Sequence, residues 1–296
     1  MLLHSLHHEF KSFCLAERNI EPKSYRTIWN ALLKAAQVLK TESLLEFSEE
    51  KLRQFLYKGK WEWQWSPKTF RNYWQSFKTF FDWCVSRGHS SSNPILKIQR
   101  PKLPEVLPRC ISHQQAKKLL ETSFEFSWNS RFQKARNTCI IATFLMTGIR
   151  LNELLHLTCA DIDLPAENIG VRKGKGRRER VVPIYPLLTP ILHQYVQERM
   201  RAKKNSEWFF TGLRSHKRLY PKNIYTICKK LSCASGVRFT PHMLRHTFAR
   251  ELIDNDFDIR KLMDLMGHKH VTTTQRYTAL TQSRVRKSFL TTSIYT

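Results

Sequence analysis

The chain has 296 residues, of which 41% are hydrophobic, and this suffices for two ordinary domains that each have a core. Fifty Lys and Arg against 24 Asp and Glu give a net charge of +26, which favours nucleic acid as the partner over acidic lipid or a merely solvated basic surface. No apolar run reaches membrane-spanning length and no signal peptide is recognisable, so we expect a cytoplasmic protein that does not bind a membrane.

The N-terminal part is predicted to be all-helical. Residues 22–40 carry one apolar stripe with helical spacing. A second long helix is expected to begin at Ser66, because Ser caps a helix well and Pro is tolerated at the first helical position, and to end near Gly88. Three tryptophans precede this helix, and we expect them to pack in a helical core rather than to stack on bases: Trp61, Trp63 and Trp65.

A proline-rich segment divides the chain. Residues 93–109 contain four prolines, which argue against a continuous helix or a central strand. We therefore predict a first domain over residues 1–98, a linker over 99–110 and a second domain over 111–296. Residues 1–104 hold 17 basic and 9 acidic side chains and the remainder holds 33 and 15. Since both parts are basic, both could lie along one duplex.

The second part is predicted to combine helices with one β-hairpin. Ser112 and Gln115 form a capping box at the start of a helix, and Gly148 ends an apolar helix over 136–147. Residues 168–184 are typical of a hairpin, because two β-branched stretches flank a Gly-Lys-Gly turn. We therefore expect a mainly α protein with a small β-hairpin. Further helices are predicted near 186–201, 221–232, 241–254 and 258–266.

Cleaving a DNA strand without a metal ion requires a side-chain nucleophile, fixed cations for the phosphate and a proton donor for the leaving oxygen. The segment TGIRLNELL, residues 147–155, contributes Arg150 at the start of a helix, where an anion is favoured. Glu153 follows on the same face, and we expect it to hold Arg150 or a nearby histidine. The alternative is an ordinary exposed helix with one ion pair.

Two further segments are rich in positive charge. In TPHMLRH, residues 240–246, Thr240 is a predicted N-cap, so His242 and Arg245 lie one turn apart at a helix start. One alternative is a solvated basic turn. Another is a metal site, because His246 lies four residues after His242, but no Glu follows His242 and no third ligand is evident. In the hairpin, Lys175 lies at the tip between two glycines and is suited to reach one phosphate. Its basic neighbours are expected to contact DNA, the alternative being a non-specific basic loop: Arg172, Lys173, Arg177, Arg178 and Arg180.

The fourth segment is MGHKHVTTTQRY, residues 266–277. Gly267 is expected to end a helix in the left-handed conformation, and His268 follows it directly. Thr272 and Gln275 form a capping box, which places Tyr277 in the first turns of a short helix. A lone tyrosine is more often half-buried in a core, so only this context marks Tyr277 as a candidate nucleophile.

In order and spacing, these four segments resemble the tyrosine recombinase, or phage integrase, family over about residues 111–278. The resemblance implies an N-terminal helical core-binding domain, a C-terminal α+β catalytic domain and no metal or other cofactor. It further implies that Tyr277 attacks the scissile phosphate and forms a 3′-phosphotyrosine. The implied supporting roles are phosphate binding by Arg150 and Arg245, general acid by Lys175, base or proton shuttle by His242, and hydrogen-bond donation to the phosphate by His268.

The resemblance also implies partners. They are double-stranded DNA with a specific recombination site and a homo-tetramer on paired sites, or a hetero-tetramer with a paralogue, that passes through a Holliday junction at the nucleoid. A tail from about residue 279 is expected to pack on a neighbouring subunit, the alternative being a disordered or self-packed tail. Alternatives are a type IB topoisomerase, a non-catalytic DNA-binding regulator, and a metal-dependent nuclease, for which no carboxylate cluster is evident. The two-domain form resembles a simple recombinase of the Xer or integron type, or one from a small mobile element.

Overall fold

A computed structural model of the chain describes residues 2–104, 108–173 and 177–267, with the side chains of residue 173 and residues 177–179 left out. The chain divides into two compact units, Met1–Glu105 and Val106–Thr296. The division between them lies inside the segment predicted as a linker. No helix in the described part of the chain is long and apolar enough to span a bilayer.

The first unit is helical, and its helices begin where local capping favours them. The side chain of Ser66 accepts the N–H of Thr69, and Pro67 occupies the first helical position, so the long helix predicted there is confirmed. Short helical turns over Leu3–Leu6 and Phe13–Glu17 flank the first helix. The helices are α1 (His7–Ser12), α2 (Pro22–Leu39), α3 (Glu49–Trp61) and α4 (Pro67–Ser86).

Aromatic side chains fill the core of this unit. Phe10 and Phe80 meet edge to face with centroids 5.1 Å apart, and Trp65 stacks on Tyr73 at 4.1 Å. Core packing is therefore confirmed for Trp65, and Trp63 packs against the same cluster. The prediction is wrong for Trp61, whose side chain is 73% exposed. The reason is helical phase, because Trp61 ends α3 on the face that points away from the buried residues.

The second unit consists of helices around a central α-helix and a small sheet. Its helices are α5 (His113–Glu125), α6 (Arg131–Thr147), α7 (Leu151–Leu155), α8 (Thr189–Arg201), α9 (Pro221–Ser235), α10 (Pro241–Asp254) and α11 (Ile259–Met266). α6 is buried along almost all of its length, and α5, α8 and α10 pack around it. Its apolar residues belong to one large core cluster, which also includes Val171 and Val182 of the sheet.

The sheet is antiparallel, with strands β1 (Ile162–Asp163), β2 (Asn168–Lys173) and β3 (Arg177–Pro183) in that order. Val171 pairs with Arg180, whereas Arg172 pairs with Arg178, so a bulge at this point leaves an extra residue in β3. The mainly α fold with a small hairpin is confirmed. Strand β1 and helix α3 were not predicted, because β1 has two residues and the pattern of α3 is interrupted by Gly59.

Gly59 supplies a test of the packing in the first unit. A Cβ added here would lie 2.2 Å from Cε3 of the buried Trp65 side chain. We expect Gly59→Ala to lower the free energy of unfolding by about 1–3 kcal/mol, because overpacking outweighs the roughly 1 kcal/mol gained in helix propensity. Denaturant unfolding of the full chain measures this, with the exposed neighbour Lys60→Ala as the control. A Gly59→Ala protein as stable as the control would contradict the packing described.

Candidate active site

Arg150 is positioned by the sharp turn that joins α6 to α7. α6 ends at Thr147, and Gly148 follows in the left-handed conformation with a φ of 58°. A side chain would be strained here and would also collide, because an added Cβ would lie 2.3 Å from Cδ1 of Phe248. Arg150 is the N-cap residue of α7, with a side chain that is 36% exposed. The turn thus presents a guanidinium group at a helix start.

Glu153 is bound by two arginines. Its Oε2 accepts the backbone N–H of Arg150 at 2.7 Å, and its Oε1 accepts Nη1 of the same residue at 2.8 Å. Arg180 adds a two-pronged ion pair, with Nη1 3.0 Å from Oε1 and Nη2 2.8 Å from Oε2. Burial by itself would raise the pKa of Glu153, but the hydrogen bonds and charges of Arg180 and Arg150 lower it to about 2. Of the two partners that the sequence allowed for Glu153, the structure has Arg150.

Arg180 lies in a different environment from the one expected for a DNA-contacting residue. Its side chain is only 7% exposed, and besides Glu153 it binds the backbone carbonyl of Leu265 through Nε at 2.7 Å. The reason is the alternation along β3, in which Arg180 shares the inward face with the buried Val182 while Val181 points outward. In this structure the guanidinium group is therefore a bridge within the protein rather than part of its basic surface.

Arg245 approaches the same region from α10. The side chain of Thr240 caps this helix by accepting the N–H of Met243, as predicted. His242 is exposed, whereas Arg245, one turn later, is 4% exposed. Arg245 donates through Nη1 to the carbonyl of Gly148, and so it ties α10 to the turn that precedes Arg150.

The C-terminus of α11 is held by arginines from three separate elements. The last carbonyls of a helix lack partners within the helix and carry partial negative charge, which makes them good acceptors for guanidinium groups. Three successive carbonyls are bound in this way, so cations from β3, α10 and the start of α7 converge directly before His268. The pairs are Leu265 with Nε of Arg180 at 2.7 Å, Met266 with Nη2 of Arg245 at 2.6 Å, and Gly267 with Nη2 of Arg150 at 2.8 Å.

Comparison with known proteins decides the family. The model of the phage integrase family matches residues 109–284. The chain is 34% identical over 194 residues to the tyrosine recombinase XerA of Thermococcus onnurineus and 32% identical over 228 residues to XerD of Listeria innocua. The chain belongs to the phage integrase family. The predicted membership of the tyrosine recombinases is confirmed.

Coverage differs between the relatives of this chain. The match to XerA covers 65% of this chain and 65% of the relative, so the chain spans just under two thirds of that protein's length, whereas the match to XerD covers 75% and 74%. The XerH recombinase bound to palindromic difH substrate has the same fold, with a TM-score of 0.77 at 23% identity over 95% of this chain and 83% of that one. The predicted two-part recombinase fold is thereby confirmed.

Several candidate residues of the chain lie outside the described residues. These are Lys175, His268, Tyr277 and the tail from about residue 279. The backbones of Lys173, Arg177 and Arg178 lie in the hairpin ladder, where Lys173 pairs with Arg177. Arg172 is 35% exposed and donates through Nε to the buried carboxylate of Asp161 at 2.5 Å. If Arg172 contacts DNA as predicted, it must do so with a guanidinium group that already binds Asp161.

The environments of two residues near the site were not predicted from the sequence. Burial lowers the pKa of His246 to about 4, and the electrostatic influence of the neighbouring His242 and Arg245 acts in the same direction, which favours the neutral imidazole. The internal role of Arg180 was also missed, although the inward phase of the strand pattern over residues 180–184 could have indicated it. Among residues 2–104, 108–173 and 177–267, no group of three or more His, Cys, Asp or Glu side chains could hold a metal ion.

Gly267 tests how closely the arginines surround the end of α11. Gly267 and Gly236 both end helices in the left-handed conformation, so alanine at either position costs about 1–2 kcal/mol of backbone strain. A Cβ at Gly267 would also lie 2.8 Å from Nη1 of Arg180, whereas nothing lies within 4 Å of one at Gly236. We expect Gly267→Ala to lower the free energy of unfolding by about 2 kcal/mol more than Gly236→Ala does, because it displaces a charged hydrogen bond of Arg180. Equal costs in denaturant unfolding would contradict this.

The ionisation of Glu153 predicts a pH dependence of stability. Because its folded pKa of about 2 lies below the ordinary value of 4.5, its contribution is complete above the ordinary pKa and is lost as the pH falls toward 2. We expect protonation of Glu153 to lower the free energy of unfolding by about 2 kcal/mol between pH 7 and pH 3. Denaturant unfolding at both pH values should therefore show a smaller loss for Glu153→Gln than for wild type. The exposed Glu125→Gln is the control, and its free energy of unfolding should fall by as much as that of wild type between the two pH values.

Proposed function

We propose that this member of the phage integrase family is a site-specific DNA recombinase that cleaves one strand through Tyr277. The observation that carries the proposal is the convergence of Arg150 and Arg245 on the carbonyls of Gly267 and Met266, directly before His268. Two guanidinium groups in a partly enclosed position provide the fixed positive charge that a phosphate needs when charge moves onto its oxygens. The relatives named tyrosine recombinases support the same reaction.

The proposed reaction balances without a metal ion. The phenol oxygen of Tyr277 forms a bond to phosphorus, the bond from phosphorus to the 5′-oxygen breaks, and the 3′ side of the strand remains on the tyrosine. Lys175 donates a proton to the leaving oxygen, and His242 accepts the proton of the phenol. Arg150, Arg245 and His268 hold the non-bridging oxygens. Because the phosphotyrosine retains the energy of the phosphodiester bond, a free 5′-hydroxyl can reverse the step and rejoin the strand.

The proposed substrate is duplex DNA that carries a recombination site. The net charge of +26 favours a polyanion, and the structure neighbours of this fold include XerH bound to difH and a lambda integrase dimer bound to a core site. In our proposal the basic hairpin contacts the duplex through Lys173, Arg177 and Arg178, with Arg172 beside them. Four subunits, identical or paired with a paralogue, act on two sites at the nucleoid and exchange strands through a Holliday junction.

Covalent capture tests the proposal. The full chain is incubated in EDTA with genomic DNA of the source organism, detergent stops the reaction, and the DNA that remains linked to protein is sequenced. We expect one enriched sequence joined through its 3′ end. Tyr277→Phe should capture none while shifting the recovered duplex in a gel with wild-type affinity, because only the nucleophile is lost.

Controls separate the competing activities. Tyr185→Phe, at an exposed tyrosine with no assigned role, should capture DNA as wild type does. Relaxation of supercoiled plasmid without the recovered sequence would indicate a type IB topoisomerase instead, and activity lost in EDTA would indicate a metal-dependent nuclease. Capture of DNA by Tyr277→Phe would remove Tyr277 from the role of nucleophile.

A further inference from the structure

The three guanidinium groups at the end of α11 differ in what they bind. Arg150 and Arg245 each combine a bond to an α11 carbonyl with a position next to the turn at Gly148. Arg180 instead binds a carboxylate with both terminal nitrogens and a carbonyl with Nε, and its side chain is 7% exposed. Its hydrogen bonds thus engage all three guanidinium nitrogens with protein groups, so its guanidinium group is suited to holding other residues in place.

We propose that Arg180 is a positioning residue for strand cleavage, which orients Arg150 toward the scissile phosphate through the carboxylate of Glu153. This inference rests on the proposed function of the site. The path is short, because Arg180 fixes both oxygens of Glu153, and these same oxygens bind the backbone N–H and Nη1 of Arg150.

Arg180 also binds the helix end that holds the other side of Arg150. Nη2 of Arg150 donates to the carbonyl of Gly267, and Nε of Arg180 holds the carbonyl of Leu265 in the same helix end. Arg150 is therefore supported on two sides, by Glu153 and by the end of α11, and Arg180 binds both supports. Gly267 leaves room for this arrangement, because a Cβ there would lie within 3.4 Å of both guanidinium groups.

Lysine cannot replace this side chain. A guanidinium group is planar and directs donors to two carboxylate oxygens and one carbonyl at once, whereas an ammonium group is a point charge without the fork. Arg180→Lys thus retains the charge next to Glu153 but loses the geometry. We expect Glu153 and then Arg150 to shift, and a displacement of about 1 Å at a reacting group costs on the order of 10²-fold in rate.

A neutral substrate separates positioning from a general loss of structure. We would measure single-turnover cleavage of a nicked duplex carrying the sequence recovered by covalent capture, with either a phosphate or a methylphosphonate at the scissile position. Arg180→Lys should cleave the phosphate about 10²-fold more slowly than wild type. On the methylphosphonate the deficit should largely vanish, because no negative oxygen then requires a well-placed Arg150. Affinity for the duplex should stay unchanged.

Arg201→Lys is the matched control, since it makes the same chemical change in an exposed ion pair with Glu198 and should not alter either rate. If Arg180→Lys unfolds at the assay temperature, Arg180→Gln combined with Glu153→Gln removes both charges and should show the same pattern. An equal deficit on both substrates, or no deficit, would overturn the inference while wild-type cleavage leaves the proposed function standing. No cleavage by wild type would instead remove the proposed function.

Discussion

The carboxylate of Glu153 lies between the guanidinium groups of Arg150 and Arg180 and also accepts the backbone N–H of Arg150. Arg245 approaches the same helix end, so three like charges occupy a small and partly buried space. Cations that lie close together repel one another strongly where water is scarce. One ionised carboxylate, with a pKa lowered to about 2, offsets part of this repulsion and makes the cluster compatible with a folded protein.

Other donors of the cluster bind backbone carbonyls of the described residues. Three carbonyls at the end of α11 and one at Gly148 accept the arginines, and because carbonyls are neutral, the three arginines and Glu153 together carry a net positive charge. Packing brings these carbonyls into reach, because the fully buried Met266 joins α11 to α10 in one apolar cluster with Phe248. A site arranged in this way retains its attraction for an anion, which is what the proposed cleavage of a phosphodiester requires.

Local signals in the sequence predicted much of the architecture. Ser66, Ser112 and Thr240 cap helices as expected, and Gly148 and Gly267 end helices in the left-handed conformation. Such signals act between residues a few positions apart, so they can be recognised without the fold. The apolar helix predicted over residues 136–147 begins five positions earlier, at Arg131, because its capping residue Ser130 lies outside the apolar stretch.

The sequence by itself determined the helical class, the hairpin, the family and the candidates Arg150, Glu153, His242 and Arg245, since each depends on spacing along the chain. Only the tertiary structure decided which partners these residues have. The bond from Arg180 to Glu153 and those from the arginines to α11 join residues far apart in sequence. Arg180 is one of several similar basic residues in its strand, and neither its charge nor the strand periodicity indicates which groups accept its hydrogen bonds. That choice depends on how β3, α7 and α11 pack together, because a guanidinium group loses its water only where fixed acceptors replace it.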